Sequence, residues 1–180
     1  MKKVAVLILL MRCFTGSSQE LADSSLRRHH HLAGLGISMP LGELASTHYP
    51  GIQLHYQWYP HEIGRSLMKR PWRFIAGAAV AVFPGKGEKI VGRNFRYRDY
   101  FYFNLSGGLS YQLLPALFTS ILAGPGLSIN GPTTRAGLGM NWSAGWFASS
   151  RLSIGPAVDY RKHTKTNALW TASIRASYSF

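Results

Sequence analysis

Two sets of residues in this chain have types and spacing suited to chemistry, and arginine dominates both. The first is a run of cations, Lys86, Lys89, Arg93, Arg96 and Arg98, interleaved with Phe95 and Tyr97. Guanidinium groups hold phosphate through paired hydrogen bonds, and aromatic rings settle at a lipid–water boundary, so this run suits a phosphate-rich surface. The second set is dispersed: Arg73, Arg135, Arg151, Arg161 and Arg175, with Asp159, His55, Asn104 and Asn141. Each stands at the polar phase of a segment that alternates apolar and polar residues. Charges inside a protein need partners, and Asp159 is the clear acid of this set, so an ion pair with Arg175 or Arg161 is expected. The histidines offer less. His29-His30-His31 resembles a metal-binding run but lacks an acidic or Cys partner nearby, and His48 and His163 fall in connections where Glu43 is the acid within reach. No phosphate-cradling glycine loop occurs. No catalytic residue, metal or cofactor is expected from these patterns.

The elements that position such residues are strands. From Trp170 to Phe180, every second residue is apolar (Trp170, Ala172, Ile174, Ala176, Tyr178, Phe180), and Thr171, Ser173, Arg175, Ser177 and Ser179 lie between them. Side chains alternate across a strand, so this is a strand with one greasy and one wet face. Seven similar segments precede it. They run over Leu32–Glu43, Gly51–Tyr59, Pro71–Phe83, Tyr97–Leu114, Ala116–Asn130, Arg135–Ala148 and Arg151–Arg161. Leu35, Ile37, Met39 and Leu41 share one face of the first, and Gly34, Gly36, Ser38 and Pro40 the other. In the second, Ile52, Leu54, Tyr56 and Trp58 oppose Gln53, His55 and Gln57. The third is Ala-rich, with Trp72, Phe74, Val80 and Val82 assigned to its outer face. In the fourth, Phe101, Phe103, Leu105, Leu109, Tyr111 and Leu113 oppose Tyr102, Asn104, Ser106, Ser110 and Gln112. Most segments exceed the roughly 9 to 11 residues that a tilted strand needs to cross a bilayer.

The amino-terminal end carries an export pattern. Met1-Lys2-Lys3 is a basic start, Val4 to Met11 is an apolar run too short to span a bilayer, and Thr15-Gly16-Ser17-Ser18-Gln19 is small and polar. Cleavage is expected after Gln19, or as late as Ala22, leaving residues 20–31 as a polar lead-in and 32–180 as one domain. Cys13 leaves with the signal, because Arg12 beside it suits lipidation poorly. The mature chain then has no cysteine, which excludes disulfides and thiol catalysis. The whole chain has 20 Lys and Arg against 7 Asp and Glu. Loss of Lys2, Lys3 and Arg12 still leaves 17 against 7, a net charge of +10. Such a charge ordinarily suggests nucleic acid, but an exported chain meets no genome. Mean hydropathy is −0.03, as alternation hides an apolar face from any average. Nineteen Gly and 23 aromatics, 5 Trp, 9 Tyr and 9 Phe, fit a curved sheet with interfacial girdles.

The connections alternate in kind. Leu114-Pro115 and Ser149-Ser150 are tight, whereas Ala45–Pro50, Gly85–Arg96, Gly131–Thr134 and Lys162–Ala168 fall at the opposite end, Gly85–Arg96 being the longest there. The Pro60–Arg70 connection breaks the pattern, being long at the tight end.

The terminal strand with its Tyr178 and Phe180 resembles the carboxy-terminal signature of bacterial outer-membrane barrels. The export signal and eight segments together resemble the small eight-stranded OmpA/OmpX-type group. That resemblance implies an all-β fold, an eight-stranded antiparallel up-and-down transmembrane β-barrel, in the cell outer membrane. Tyr178 and Phe180 become the signal read by the barrel assembly machinery. It also implies outer-membrane lipid and lipopolysaccharide as partners of Lys86, Lys89, Arg93, Arg96 and Arg98, no nucleic acid, and a monomer. Arg73, Arg135, Asp159, Arg161 and Arg175 become an interior polar network, because eight strands enclose only enough room for side chains. Members of the group serve as anchors, adhesins, small-solute passages or lipid-modifying enzymes, so fold alone leaves function open. Barrels resembling the lipid A deacylases carry a His-x-Ser pair. The residues two beyond each His here are His31, Leu32, Ala33, Pro50, Gln57, Ile63 and Lys165, none of them Ser. The expectation is a non-enzymatic anchor for basic surface loops, with a lipid-modifying enzyme or a solute passage as the alternatives.

Overall fold

Alternation with one apolar face drives these segments to pair until no edge is left. The computed structural model describes residues 31–60, 72–90, 93–114, 116–164 and 167–180. Its elements are β1 (His31–Leu41), α1 (Glu43–Thr47), β2 (Gly51–Trp58), β3 (Trp72–Phe83), β4 (Gly87–Ile90), β5 (Arg93–Arg96), β6 (Tyr100–Leu114), β7 (Leu117–Asn130), β8 (Thr133–Phe147), β9 (Leu152–His163) and β10 (Leu169–Ser179). Eight strands close one barrel in the order β1-β10-β9-β8-β7-β6-β3-β2, and β4 and β5 form a separate hairpin. Neighbours are antiparallel throughout, and β1 closes on β10 over ten register pairs, Leu32 with Ser179 to Leu41 with Trp170. Closure removes the exposed backbone edges that neither lipid nor a monomer tolerates.

The assigned faces hold along β1, β2, β3, β6 and β10. Leu35, Ile37, Ile52, Leu54, Phe103, Leu105, Ile121, Leu127 and Ile174 stand exposed around the barrel, with Ile37 68% and Ile174 65% accessible. An apolar belt this wide exceeds the patches water-soluble monomers expose and matches a barrel set in hydrocarbon. Aromatics flank it: Trp58, Trp72, Trp146 and Tyr178 at the end with the short turns, Trp170 and Phe101 at the other. Two girdle pairs are in ring contact, Trp72 with Tyr111 at 4.6 Å and Tyr160 with Trp170 at 4.8 Å.

Several expected boundaries move. The first strand stops at Leu41 rather than Glu43, because Gly42 takes φ +60° and turns the chain into α1, which occupies the start of the expected 45–50 loop. The 85–96 loop is not open coil but carries the β4–β5 hairpin, paired from Gly87 with Arg96 to Ile90 with Arg93, and β6 begins at Tyr100 rather than Tyr97. β1 takes in His31, assigned to the lead-in, β8 starts at Thr133 and β9 runs on to His163. The expected leader, the lead-in up to residue 30 and residues 61–70 of the Pro60–Arg70 connection lie outside the described residues. Barrels of this kind carry their longer loops outside the cell, so the end holding α1 and the β4–β5 hairpin is called the outer mouth below.

Candidate functional site: the lumen and its outer mouth

Inward side chains stack in three layers. Nearest the short turns, Leu32, Tyr59, Ile75 and Leu122 pack together, so the inner face is not polar throughout. Nearest the mouth, Leu44, Ala81, Phe83, Tyr100 and Tyr102 make a second apolar layer. The charges lie between and beside them.

Arg175 is the centre of the middle layer. Its Nη2 donates to Asp159 at 3.0 Å (Oδ1) and 2.9 Å (Oδ2) and to Gln53 Oε1 at 3.2 Å, while Nη1 donates to Asn141 Oδ1 at 3.2 Å. Asp159 also accepts from Asn141 Nδ2 at 2.9 Å and from Thr171 Oγ1 at 3.4 Å. The carboxylate is thus fully occupied, as a buried charge must be. The partner of Asp159 is Arg175, not Arg161. Arg161, 0% accessible, reaches the network only through Nη2, which donates to Thr171 Oγ1 at 3.3 Å. Its guanidinium lies instead over two rings, 4.2 Å from the centre of Tyr102 and 5.2 Å from that of Phe83. Such a cation–π arrangement offsets part of the desolvation of a charge with no carboxylate.

Glycine lets these long side chains cross their neighbours. Gly34 lies in register between His55 on β2 and Ser177 on β10, and a Cβ there would stand 2.6 Å from His55 Cε1. Across that bare patch His55 Nε2 meets Ser177 Oγ at 2.8 Å. Gly139 on β8 plays the same part for Tyr102, whose hydroxyl would lie 2.1 Å from an added Cβ as it reaches over β7 and β8 toward Arg161 on β9. Two cavities in this region, bordered by His55, Tyr102, Asn104 and Arg175 and by Phe118, Ser143 and Ser153, measure about 20 Å³ each. That is room for about one water apiece, so the two give no space to a solute.

The mouth is different. A cavity of about 450 Å³ opens above Tyr100, bounded by Glu43, Leu44, Thr47, His48, Ser128, Asn130, Thr133, Arg135, His163, Asn167 and Leu169. His163 Nε2 and the Tyr100 hydroxyl are 3.0 Å apart. Glu43 accepts twice from Asn167 Nδ2, at 2.9 and 3.1 Å. His48 fixes the wall: its Nε2 donates to the Arg98 carbonyl at 3.1 Å, and its Nδ1 lies 2.7 Å from Thr47 Oγ1. Burial pulls His48 below the ordinary imidazole range, against the opposing pull of that carbonyl and of Asp99.

The other sequence-selected residues divide. Arg135 is exposed at the mouth rather than sunk in the network, and Arg73 stands half-buried at the short-turn end of β3. Arg151, of inward parity, lies in the turn before β9, where its Nη1 donates to the Tyr178 hydroxyl on the outer face at 3.1 Å. Phe180 donates its backbone N–H to His31 O at 3.0 Å, and its ring stacks on His31 at 5.7 Å. In the basic run, Lys89 and Arg93 fall on β4 and β5, and Lys89 is in register with Asn94. Lys86 is held at the hairpin base, donating to Ala45 O and lying 5.6 Å over the Tyr49 ring. Arg96 and Arg98 are exposed, and Arg96 approaches Asp99 at 4.0 Å. The His55–Ser177 pair escapes motif spacing, whereas Glu43, His48 and His163, within reach of one another by their places in the connections, border one cavity. The signal was there in the pairing of first and last strands, which seats Gly34 between His55 and Ser177.

The sequence matches no family model and no curated protein. Solved structures do match. Yersinia pestis Ail in a phospholipid bilayer nanodisc aligns with 85% of this chain and 100% of its own at 15% identity and a TM-score of 0.55. Ail in complex with the heparin analogue sucrose octasulfate aligns over 83% and 96% at 14% identity and 0.52. The outer membrane enzyme PagL aligns over 83% and 99% at 9% identity and 0.53. With the exposed apolar belt and closed eight-strand order, these define the class. The chain has the fold of the small eight-stranded transmembrane β-barrels.

Proposed function

We propose that this barrel is a non-enzymatic anchor that holds a basic hairpin against the phosphate groups of lipopolysaccharide in the outer leaflet. The observation that carries the reading is the β4–β5 hairpin itself. It is the longest insertion at the mouth, its strands carry Lys89, Arg93 and Arg96 with Arg98 just beyond, and Phe95 is exposed, its ring meeting Tyr97 edge-on at 5.1 Å. Among the described residues Arg96 makes a long contact to Asp99 between exposed groups, which holds it weakly. Its guanidinium is therefore available for phosphate. The complex of Ail with a sulfated sugar supports anion binding on this fold. PagL carries an enzyme on the same fold, so the fold does not decide between the two classes. Here both ring nitrogens of His48 are engaged in fixing the loop, and Ser177 beside His55 is buried in the packed lumen, which favours the anchor. On the same reading Tyr178 and Phe180, outward at the turn end, are what the assembly machinery meets.

Replacing Lys89, Arg93 and Arg96 together by Gln leaves the barrel folded, since loops outside the hydrocarbon tolerate change. It lowers retention of purified lipopolysaccharide by the refolded protein, most at low ionic strength, because exposed charges act over about 8 Å at physiological salt. Equal retention by wild type and the triple variant across a salt series would remove the proposal.

A further inference from the structure

We propose that the outer mouth is a binding site for an acidic sugar, a small hydroxylated molecule bearing one carboxylate or phosphate, taken up by Arg135 above the Tyr100–His163 pair. It does not depend on the hairpin's contact with the leaflet, because none of the hairpin's cations borders this cavity.

Size and lining carry the first half of the argument. The cavity, about 450 Å³, is within the range of small-molecule sites and far above the two deeper voids of about 20 Å³. Its border alternates hydroxyls and amides, Ser128, Asn130 and Thr133, with an apolar flank of Leu44 and Leu169. A pyranose presents the same mixture, hydroxyls at its edge and C–H groups on its faces.

Charge carries the second half. The acid on the border, Glu43, is occupied by Asn167, and His48 is bound to Thr47 and to the Arg98 carbonyl. Arg135 is exposed at the rim, and below the floor lies Arg161, fully buried, its Nε and Nη1 without a hydrogen-bond partner among the described residues. Both arginines act electrostatically on His163, which bonds Tyr100 at the floor. Arg135 is thus the cation on the border, opposite a carboxylate whose oxygens are already held by Asn167, and the buried Arg161 adds positive field from the layer below. Arg135 offers the paired donors that oxyanions select.

The test titrates the refolded full barrel in nanodiscs with glucuronate, glucose 6-phosphate and glucose, following backbone amide shifts by NMR. One or both acidic sugars shift Ser128, Thr133 and His163, with glucose weaker by about tenfold or more, the size of one charge-assisted hydrogen bond. A response to glucuronate alone assigns a carboxylate ligand, and one to glucose 6-phosphate alone assigns a phosphate. Arg135→Gln weakens the acidic sugar about tenfold and brings it near glucose. Thr133→Trp, which fills the mouth from the rim, abolishes the shifts, and it decides the matter should Arg135→Gln fail to fold. Equal response to charged and neutral sugars, no response at millimolar concentration, or unchanged binding in either variant would overturn the proposal.

Discussion

Two arginines on adjacent strands of the lumen, Arg175 on β10 and Arg161 on β9, are both buried and are satisfied in opposite ways. Arg175 reaches a carboxylate and two side-chain amides, and its layer is closed. Arg161 meets a hydroxyl and two aromatic faces and lies buried below the mouth, whose cavity it does not border. Strand parity puts both inside, but parity does not choose their partners. Arg161 is two residues from Asp159 on one strand, yet its side chain runs toward Tyr102 on β6. Arg175, four residues along β10 from the residue opposite Asp159, extends past Gly36 to take the carboxylate. The first layer closes an ion pair, and the second buries a cation against aromatic rings beneath the mouth.

The largest expected effect breaks the closed layer. Asp159→Ala strands Arg175 in the lumen, and removing one partner of a buried pair costs about 3–5 kcal/mol. Arg161→Met keeps the ring contacts without the charge and costs markedly less, since no carboxylate is left behind. Denaturant unfolding of both variants in lipid checks this, and equal losses would erase the distinction between the two layers.

Next in size is the contrast between lumen and lipid. Leu105→Arg and Ile174→Arg place a cation against hydrocarbon and cost about 2–4 kcal/mol near the midplane. Ser106→Arg, one position along and facing inward, meets side chains and water-sized voids instead, and its cost is set by packing. The same unfolding assay separates the faces, and no loss for the two outward variants means the register is wrong.

The smallest effect belongs to the mouth. Burial holds His48 below its ordinary value of 6.5, so just below that pH the unpacked loop binds more protons than the packed one. Packing of α1 against the hairpin base is therefore at full strength above pH 6.5 and weakens as the pH falls through the lowered value. An NMR titration of the His48 ring shows its midpoint under 6.5, and a midpoint at or above that value would contradict the buried geometry.

Much of this architecture was legible in the sequence, because a period of two is a strong signal and one face had to meet lipid. The faces of β1, β2, β6 and β10 follow from it directly. Less was legible at the mouth. α1 and the β4–β5 hairpin are short, with five residues in one and four in each strand of the other, too few for periodicity to rise above the local composition. The contacts of the lumen were hidden for another reason. Which side chains meet depends on register and on where an inward Gly leaves a gap, as Gly34 does for His55 and Ser177. Arg151 shows the limit of parity: its phase is inward, but one residue beyond the strand end the chain turns and the side chain goes to Tyr178.

The most direct test of the central claim, that this chain closes into an eight-stranded barrel in the outer membrane, is a mobility shift of the fractionated protein in SDS gels with and without boiling. A closed barrel satisfies all its backbone hydrogen bonds internally and resists SDS until heated. The protein is expected to sediment with outer membranes and to migrate faster unheated than boiled, and the Lys89, Arg93 and Arg96 triple Gln variant to behave identically. Recovery in the soluble periplasmic fraction, with one mobility under both conditions, would contradict it.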